Sequence, residues 1–307
     1  MSAARPAPAQ PAAPVSSLLL VGILTLVWGC NWPVLKLGVT ELAPLTFRAA
    51  SLVFAAAGLL AISKLSGESI RIPRALWGKV LALGLFNIAG WNGLLLFGVQ
   101  QLPAGRSAII AFTMPVWAVL FGFALLHEPL SGRKQVGMLL GMCGMAVLLG
   151  EDVWQLRRSP LGALLIVGAA MSWGFGTVLL RRWKPAVPQN TLTGWMMFLG
   201  WIPIAICAPL FDAHAFDSLA SMSGTAWFAV LYNVFLAGTL AHWAWFKMAR
   251  TLPVAVSSMS SLPVPMVGVL SGMLILGERP GANELVALGL VLASLAAMLF
   301  TPGRTRR

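Results

Sequence analysis

The residues able to do chemistry in this 307-residue chain are few, and they form no catalytic set. The three histidines (His127, His214, His242) and three cysteines (Cys30, Cys143, Cys207) stand far apart, without metal-ligand or redox spacing. No Ser/His/Asp arrangement, HExxH, Walker or Rossmann pattern occurs. No metal and no cofactor is expected, and enzyme activity has no support. The signal that remains is polar side chains set inside long apolar runs. Asn31, Asn87, Asn92 and Thr113 lie in such runs in the first half; Ser172, Thr177, Tyr232, Asn233, Thr239, His242 and the serines between 257 and 261 do so in the second. A polar group in hydrocarbon is costly, so it tends to face a cavity or another helix.

Tryptophan accompanies this polarity. Trp77, Trp154 and Trp183 sit beside charges at run ends, as interfacial anchors do, whereas Trp28, Trp91, Trp117, Trp173 and Trp243 lie deeper. A cavity with indole faces and amide or hydroxyl edges suits a small amphipathic zwitterion, whose ammonium gains roughly 0.5–2 kcal/mol over a ring. The candidate cavity residues are therefore Trp28, Asn31, Asn87, Trp91, Asn92, Thr113, Trp117, Trp173, Tyr232, Asn233, Thr239, His242, Trp243, Ser258 and Ser261. Asn87 and Trp91 are four apart, on one helical face; Tyr232, Thr239 and Trp243 follow at seven and four. For each the competing reading is a packing residue, and for His242 a hydrogen-bonded packing histidine is the stronger reading. Pro115, Pro263 and Pro265 remove helical hydrogen bonds and are candidate hinges, with a static kink as the alternative.

The elements that must hold these residues are legible from the charges. The chain is 58% hydrophobic and 10% charged, against about a quarter charged in soluble domains. Stretches free of Asp, Glu, Lys and Arg fall at 6–35, 49–63, 80–105, 107–127, 135–150, 159–180, 185–211, 218–246, 251–277 and 285–303. A spanning helix needs roughly 20 apolar residues, so these predict ten spans. The runs at 49–63 and 135–150 are short; Arg48, Lys64, Arg133 and Lys134 at their ends are expected to snorkel to the headgroups, with nine spans as the alternative. The net charge of +12 is scattered between runs, which argues against a nucleic-acid partner. With ten spans and an inside N-terminus, basic residues concentrate inside and acidic ones outside, as the positive-inside rule requires. Both termini are expected in the cytoplasm. Residues 1–15, rich in Ala and Pro, read as a disordered tail and a poor signal peptide; 302–307 read as a basic tail.

The chain also repeats itself. LPAGRSAIIAFTMPVWAVLFGFALLHEPL at 102–130 aligns with LPVAVSSMSSLPVPMVGVLSGMLILGERP at 252–280, pairing Pro103 with Pro253, Pro115 with Pro265, Gly122 with Gly272 and Glu128 with Glu278. Trp28-Gly29 and Trp173-Gly174 mark the first helix of each copy. Five spans per copy is odd, so the second copy enters the membrane inverted, and two mirror-related gates can flank one central site. The fold expected is an all-α membrane protein of ten transmembrane helices, as two inverted five-helix repeats (16–150 and 160–301) around a central cavity. Polarity concentrates on the first, third and fourth helix of each repeat. Helices 2, 5, 7 and 10 are more uniformly apolar and fit a lipid-facing or dimer role.

With WGCNWPVLKLG at 28–38, PLTFRAA at 44–50, residues 102–137 and the second copy around Pro265 and GERP at 277–280, the chain resembles the EamA branch of the drug/metabolite transporter superfamily. The likeness spans 16–301. It implies ten helices, a central cavity surrounded by the first, third and fourth helices of each repeat, and transport of a small molecule. Within the superfamily the chain is most similar to bacterial amino-acid exporters, including those for aromatic amino acids. That implies export of small neutral metabolites by alternating access across a bacterial inner membrane, by a monomer or dimer. Every Asp and Glu lies between runs, which disfavours exchange of protons for cations through a membrane carboxylate. A phosphate-ester or nucleotide-sugar-like carrier stays open through Lys36, Arg48, Arg106 and Lys247 near span ends, and so does a non-transporting scaffold or sensor.

Overall fold

The computed structural model describes residues 15–155, 160–212, 215–251 and 263–299. Among these residues the chain runs as ten long helical rods, with one further short helix, Ala215–Ala220, between the seventh and the eighth. They are α1 (Val15–Glu41), α2 (Pro44–Leu65), α3 (Arg74–Gln101), α4 (Ala104–Leu126), α5 (Gly132–Gln155), α6 (Pro160–Trp183), α7 (Gln189–Phe211), α8 (from Gly224 to Thr251), α9 (Val264–Leu276) and α10 (Ala282–Leu299). Seven are long and apolar enough to cross a membrane by length and composition; α9 and α10 are shorter apolar helices as described. The two short charge-free runs are full helices of 22 and 24 residues, because their terminal charges are taken into the helix. Lys64 lies in the last turn of α2, but Arg48 is carried into the helix and buried. The snorkelling expected of Arg48 is thus overturned.

Packing between rods depends on glycine pairs, since lipid gives helices no hydrophobic reason to associate and close approach must supply the contact. On α3, Gly84 meets Gly200 of α7, and Gly98 meets Gly162 of α6. A Cβ on Gly84 would lie 2.8 Å from the Met196 carbonyl oxygen, and one on Gly200 would lie 2.6 Å from the Gly84 carbonyl oxygen. A Cβ on Gly98 would lie 2.7 Å from the Gly162 carbonyl oxygen. Thus α3 is held near both ends, against helices of the second repeat. Valine at Gly98 or Gly200 should lower the thermal midpoint in detergent by an amount corresponding to about 1–3 kcal/mol of overpacking. Valine at Gly22, which has nothing within 4 Å, should not. Equal effects at all three positions would remove the packing argument.

Three helices depart from regular α geometry. α4 breaks at Phe112–Thr113 into Ala104–Ala111 and Met114–Leu126, just ahead of Pro115. The central parts of α3 (Leu85–Gly90) and α8 (Tyr232–Leu240) wind as π-helix. These two segments occupy the third helix of each repeat. The repeat is visible in a second place. α4 and α9 both end in a left-handed residue, His127 (φ 52°) and Gly277 (φ 68°). In both, the next amide donates back to a helix glycine: Glu128 to the Gly122 carbonyl at 3.3 Å, Glu278 to the Gly272 carbonyl at 3.2 Å.

The two matching glutamates nonetheless have different partners. Glu278 accepts from the backbone amides of Ala104 (2.5 Å) and Gly105 (3.0 Å), at the N-terminus of α4, where the helix dipole favours an anion. Glu128 instead pairs with Arg181 (2.5 Å) and Lys134 (3.5 Å). The Glu278 end carries further ties. Arg106, 1% exposed, donates to Glu284 at 3.1 Å and to the Leu148 carbonyl at 2.5 Å, joining α4, α10 and α5. Lys36 caps the end of α3 by donating to the carbonyls of Val99 and Gln100, each at 2.8 Å.

Candidate functional site

A cavity of about 170 Å³ lies where the repeats meet. α1 gives it Trp28, Asn31, Trp32 and Leu35, the positions i, i+3, i+4 and i+7 of one helical face. α2 gives Arg48, Ser51, Leu52 and Ala55; α3 gives Ile88, Trp91, Asn92 and Leu95. α4 supplies Phe112 and Met114 at its break; α6 supplies Trp173, α7 Met197 and α9 Val264. α8 supplies Asn233, Ala237, Gly238 and His242. α5 and α10 contribute nothing to this lining and pack along each other. α2 and α7 also pack along each other, yet both reach the cavity. The expectation that α2 and α7 are lipid-facing or dimer helices is therefore corrected: each buries one face and exposes another.

Seven candidates read from the sequence come together here: Trp28, Asn31, Trp91, Asn92, Trp173, Asn233 and His242. Others are placed elsewhere. Asn87 is buried against Gly176, its amide donating to the Trp173 carbonyl at 3.2 Å. Thr113 donates to the Ile110 carbonyl at 2.7 Å, and Thr239 to the Val234 carbonyl at 2.8 Å. Trp117 packs against Gly174. Tyr232 donates its hydroxyl to the Val27 carbonyl at 2.8 Å. Trp243 lies under Lys247, 4.9 Å from its ring centroid. Ser258 and Ser261 fall outside the described residues. Pro115 lies one residue into the second segment of α4, Pro263 caps α9 and Pro265 is buried in its first turn.

The π segment of α8 explains why some neighbours of these residues miss the cavity. A π turn brings residues five apart onto one line. The inward row of α8 accordingly runs through Asn233, Ala237, Gly238 and His242, not through Tyr232, Thr239 and Trp243 as regular spacing predicts. On α3 the row runs through Ile88, Trp91, Asn92 and Leu95 at the regular i, i+3, i+4 and i+7 spacing, and Asn87 lies off it, bonded toward α6. Asn92 and His242, which correspond in the two repeats, both line the cavity. Each bonds a carbonyl of its own helix: Asn92 to Ile88 at 2.8 Å, His242 to Ala237 at 3.0 Å.

Arg48 is the residue that sequence reasoning misplaced, and it changes the electrostatics of the site. It is 8% exposed, and its Nη1 donates to Asn233 Oδ1 at 3.2 Å. Asn233 in turn donates to the Ala229 carbonyl at 3.0 Å, which fixes its orientation. The Phe47 ring centroid lies 5.5 Å from the guanidinium carbon. Among the described residues no carboxylate pairs with Arg48, and its Nε has no acceptor. Of the other basic residues near span ends, Lys36 and Arg106 are bound to protein groups and Lys247 sits over Trp243; none lines the cavity. No local signal in the sequence marks Arg48, since an arginine that snorkels needs no acidic neighbour either.

Aromatic rings form the walls. Trp28 and His242 meet edge to face at 5.4 Å, with Trp28 Nε1 donating to the Ala237 carbonyl at 3.2 Å. Trp91 and Trp173, one from each repeat, lie 5.2 Å apart. Trp32 and Phe112, which the sequence reading did not single out, close another side at 6.4 Å. The chamber is thus apolar on its faces, with amides at its edges and a single guanidinium among its lining residues.

Comparison with known proteins places this architecture. The model of the EamA-like transporter family matches residues 15–150 and again 160–300. The uncharacterized transporter YoaV of Bacillus subtilis (strain 168) is 23% identical, over 94% of this chain and 99% of that protein. The uncharacterized inner membrane transporter YedA of Escherichia coli (strain K12) is 28% identical, over 92% of this chain and 89% of its own. A probable amino-acid metabolite efflux pump of the same strain is 25% identical, over 92% and 94%. A crystal structure matches the fold with a TM-score of 0.65 at 21% identity, covering 93% of this chain and 97% of the other.

Proposed function

The chain belongs to the EamA-like transporter family, a multi-pass membrane transporter of small molecules, and from that premise we propose that it exports neutral amino acids, aromatic ones among them. The observation carrying this reading is Arg48, a buried cation in the cavity with no carboxylate beside it among the described residues. A buried charge without a partner is costly, and a substrate carboxylate relieves that cost. The ring walls suit an apolar side chain, and their faces suit an ammonium group. A doubly charged phosphate ester would find a single guanidinium in this lining, so the amino acid is the better match. The likeness to a probable amino-acid metabolite efflux pump supports the same class.

Alternating access is part of this reading, and the unequal ties of the two glutamate loops support it, as one gate is held more firmly than the other in this form. With both termini in the cytoplasm of an inner-membrane protein, the Glu278 end faces outward and is the fastened one. The Glu128 end, on the cytoplasmic side, is the less firmly held gate in this form. YedA is named an inner membrane transporter, which supports the location. Purified protein in liposomes should exchange labelled neutral amino acids for unlabelled ones. Movement of a phosphorylated metabolite but no amino acid would overturn the assignment. A cysteine at the cavity-lining Trp173 should react with water-soluble thiol reagents in a substrate-dependent way; a scaffold without an aqueous path would leave it inert.

A further inference from the structure

Several polar side chains lining the cavity are already committed to the protein. Asn92, Asn233 and His242 bond carbonyls of their own helices; Ser51 bonds the carbonyls of Phe47 (3.1 Å) and Arg48 (3.3 Å). Among the described residues, two buried side-chain atoms of the lining have no partner. The side-chain oxygen of Asn31 is buried and has no donor, and Nε of Arg48 is buried and has no acceptor. An unpaired buried polar atom costs about 1–3 kcal/mol, so both atoms raise the energy of the empty cavity. They are also opposite in kind: one needs a donor and the other an anion or acceptor. A single ligand relieves both only if it carries an acidic group and an N–H donor together.

We propose that Asn31 is an ammonium-accepting subsite which, together with Arg48, makes a free α-amino group a requirement for recognition. This rests on the amino-acid reading above and deepens it. The carboxylate takes the guanidinium, the ammonium donates to Asn31 Oδ1, and the side chain lies among the indoles. Selection then depends on two complementary groups, one from α1 and one from α2. An apolar pocket rejects analogues weakly, whereas a site built to bond a particular polar group rejects those lacking it strongly, because its own groups stay unpaired.

Three probes separate the subsites: phenylalanine, 3-phenylpropanoate (no ammonium) and phenethylamine (no carboxylate). Competition with phenylalanine exchange in proteoliposomes gives apparent affinities for all three. Wild-type protein should favour phenylalanine about tenfold or more over each analogue. Asn31→Leu should abolish the preference over 3-phenylpropanoate while keeping that over phenethylamine. Asn31→Thr, which keeps a hydroxyl acceptor, should retain part of the first preference. Ratios within one preparation are independent of how much protein folds, and the wild-type ratios stand even if a variant is not recovered. Equal affinity of wild-type protein for phenylalanine and 3-phenylpropanoate would overturn the Asn31 subsite and leave the amino-acid reading intact. So would an Asn31→Leu variant with unchanged ratios. If wild-type protein exchanges no phenylalanine or other neutral amino acid, the functional reading itself fails.

Discussion

Arg48→Met should cut amino-acid exchange by about 10- to 100-fold while leaving the folded protein as stable as the parent, or more so. Hydrogen bonds to a charged group contribute about 1.5–3 kcal/mol, which sets the size of the transport loss. The stability side follows from the same arginine. Its guanidinium is buried, donates to Asn233 and faces no carboxylate among the described residues. An apolar side chain of similar length removes the desolvation cost and fills the volume. The effect on stability is offset only by the lost donor to Asn233 Oδ1. Arg48→Lys should be intermediate, because an ammonium keeps the charge but loses the planar fork. Initial exchange rates and thermal midpoints in detergent, measured on the same preparations, decide the matter. A variant that loses stability and activity together would mark Arg48 as a packing residue.

Arg106→Met should do the reverse, destabilising the protein by about 3–5 kcal/mol. This second arginine is also buried, but Glu284 and the Leu148 carbonyl hold it, and it stands outside the cavity. Removing it takes the Arg106 cation away from a buried carboxylate, at the place where α4, α5 and α10 join. Glu284 also accepts from the Gly281 amide at 2.8 Å, so the start of α10 should loosen with it. The double variant Arg106→Met with Glu284→Met should recover much of the loss, since replacing a whole buried pair by apolar groups is far milder than breaking it. Thermal midpoints of the two single variants and the double variant test this. A fully additive double variant would show that the pair is not coupled.

These two arginines also show where sequence reasoning was sufficient and where it stopped. The ten charge-free runs correspond to ten rods, because hydrocarbon imposes helices and the run lengths fix their number. The family likeness and the repeat were legible for the same reason: prolines, glycines and glutamates at fixed offsets survive in an otherwise uniform composition. Cavity residues on α1 were legible because α1 is regular there. The face through Trp28, Asn31, Trp32 and Leu35 needs only helical spacing, and Trp32 was missed by attending to polarity alone. On α8 regular spacing misleads, since the π segment rotates the inward row, and nothing in YNVFLAGTL marks that winding. Arg48 was misread for a different reason. Near the end of a short apolar run, a snorkelling arginine and a buried one have the same local sequence. Only the neighbouring Asn233, 185 positions away, distinguishes them.

The paired glutamate loops bear on how this chain rests between transport events. Under alternating access, the outward and inward forms are nearly the same structure with the roles of the copies exchanged. Two identical halves would give two forms of equal energy and no resting preference in a symmetric membrane. The preference must therefore arise from positions where the copies differ. Glu278 meets Ala104 and Gly105, whose counterparts at the same offset are Val254 and Ala255; Arg106 and Glu284 correspond to Val256 and Lys134. The second copy thus has no cation to match Arg106, and the first has no carboxylate to match Glu284. Each such difference adds to a single quantity, the ratio of the two populations, at about 1.4 kcal/mol per tenfold. Directionality at rest is then a property of the mismatch between the copies. Substitutions that make the copies more alike should move that ratio toward one without touching the cavity.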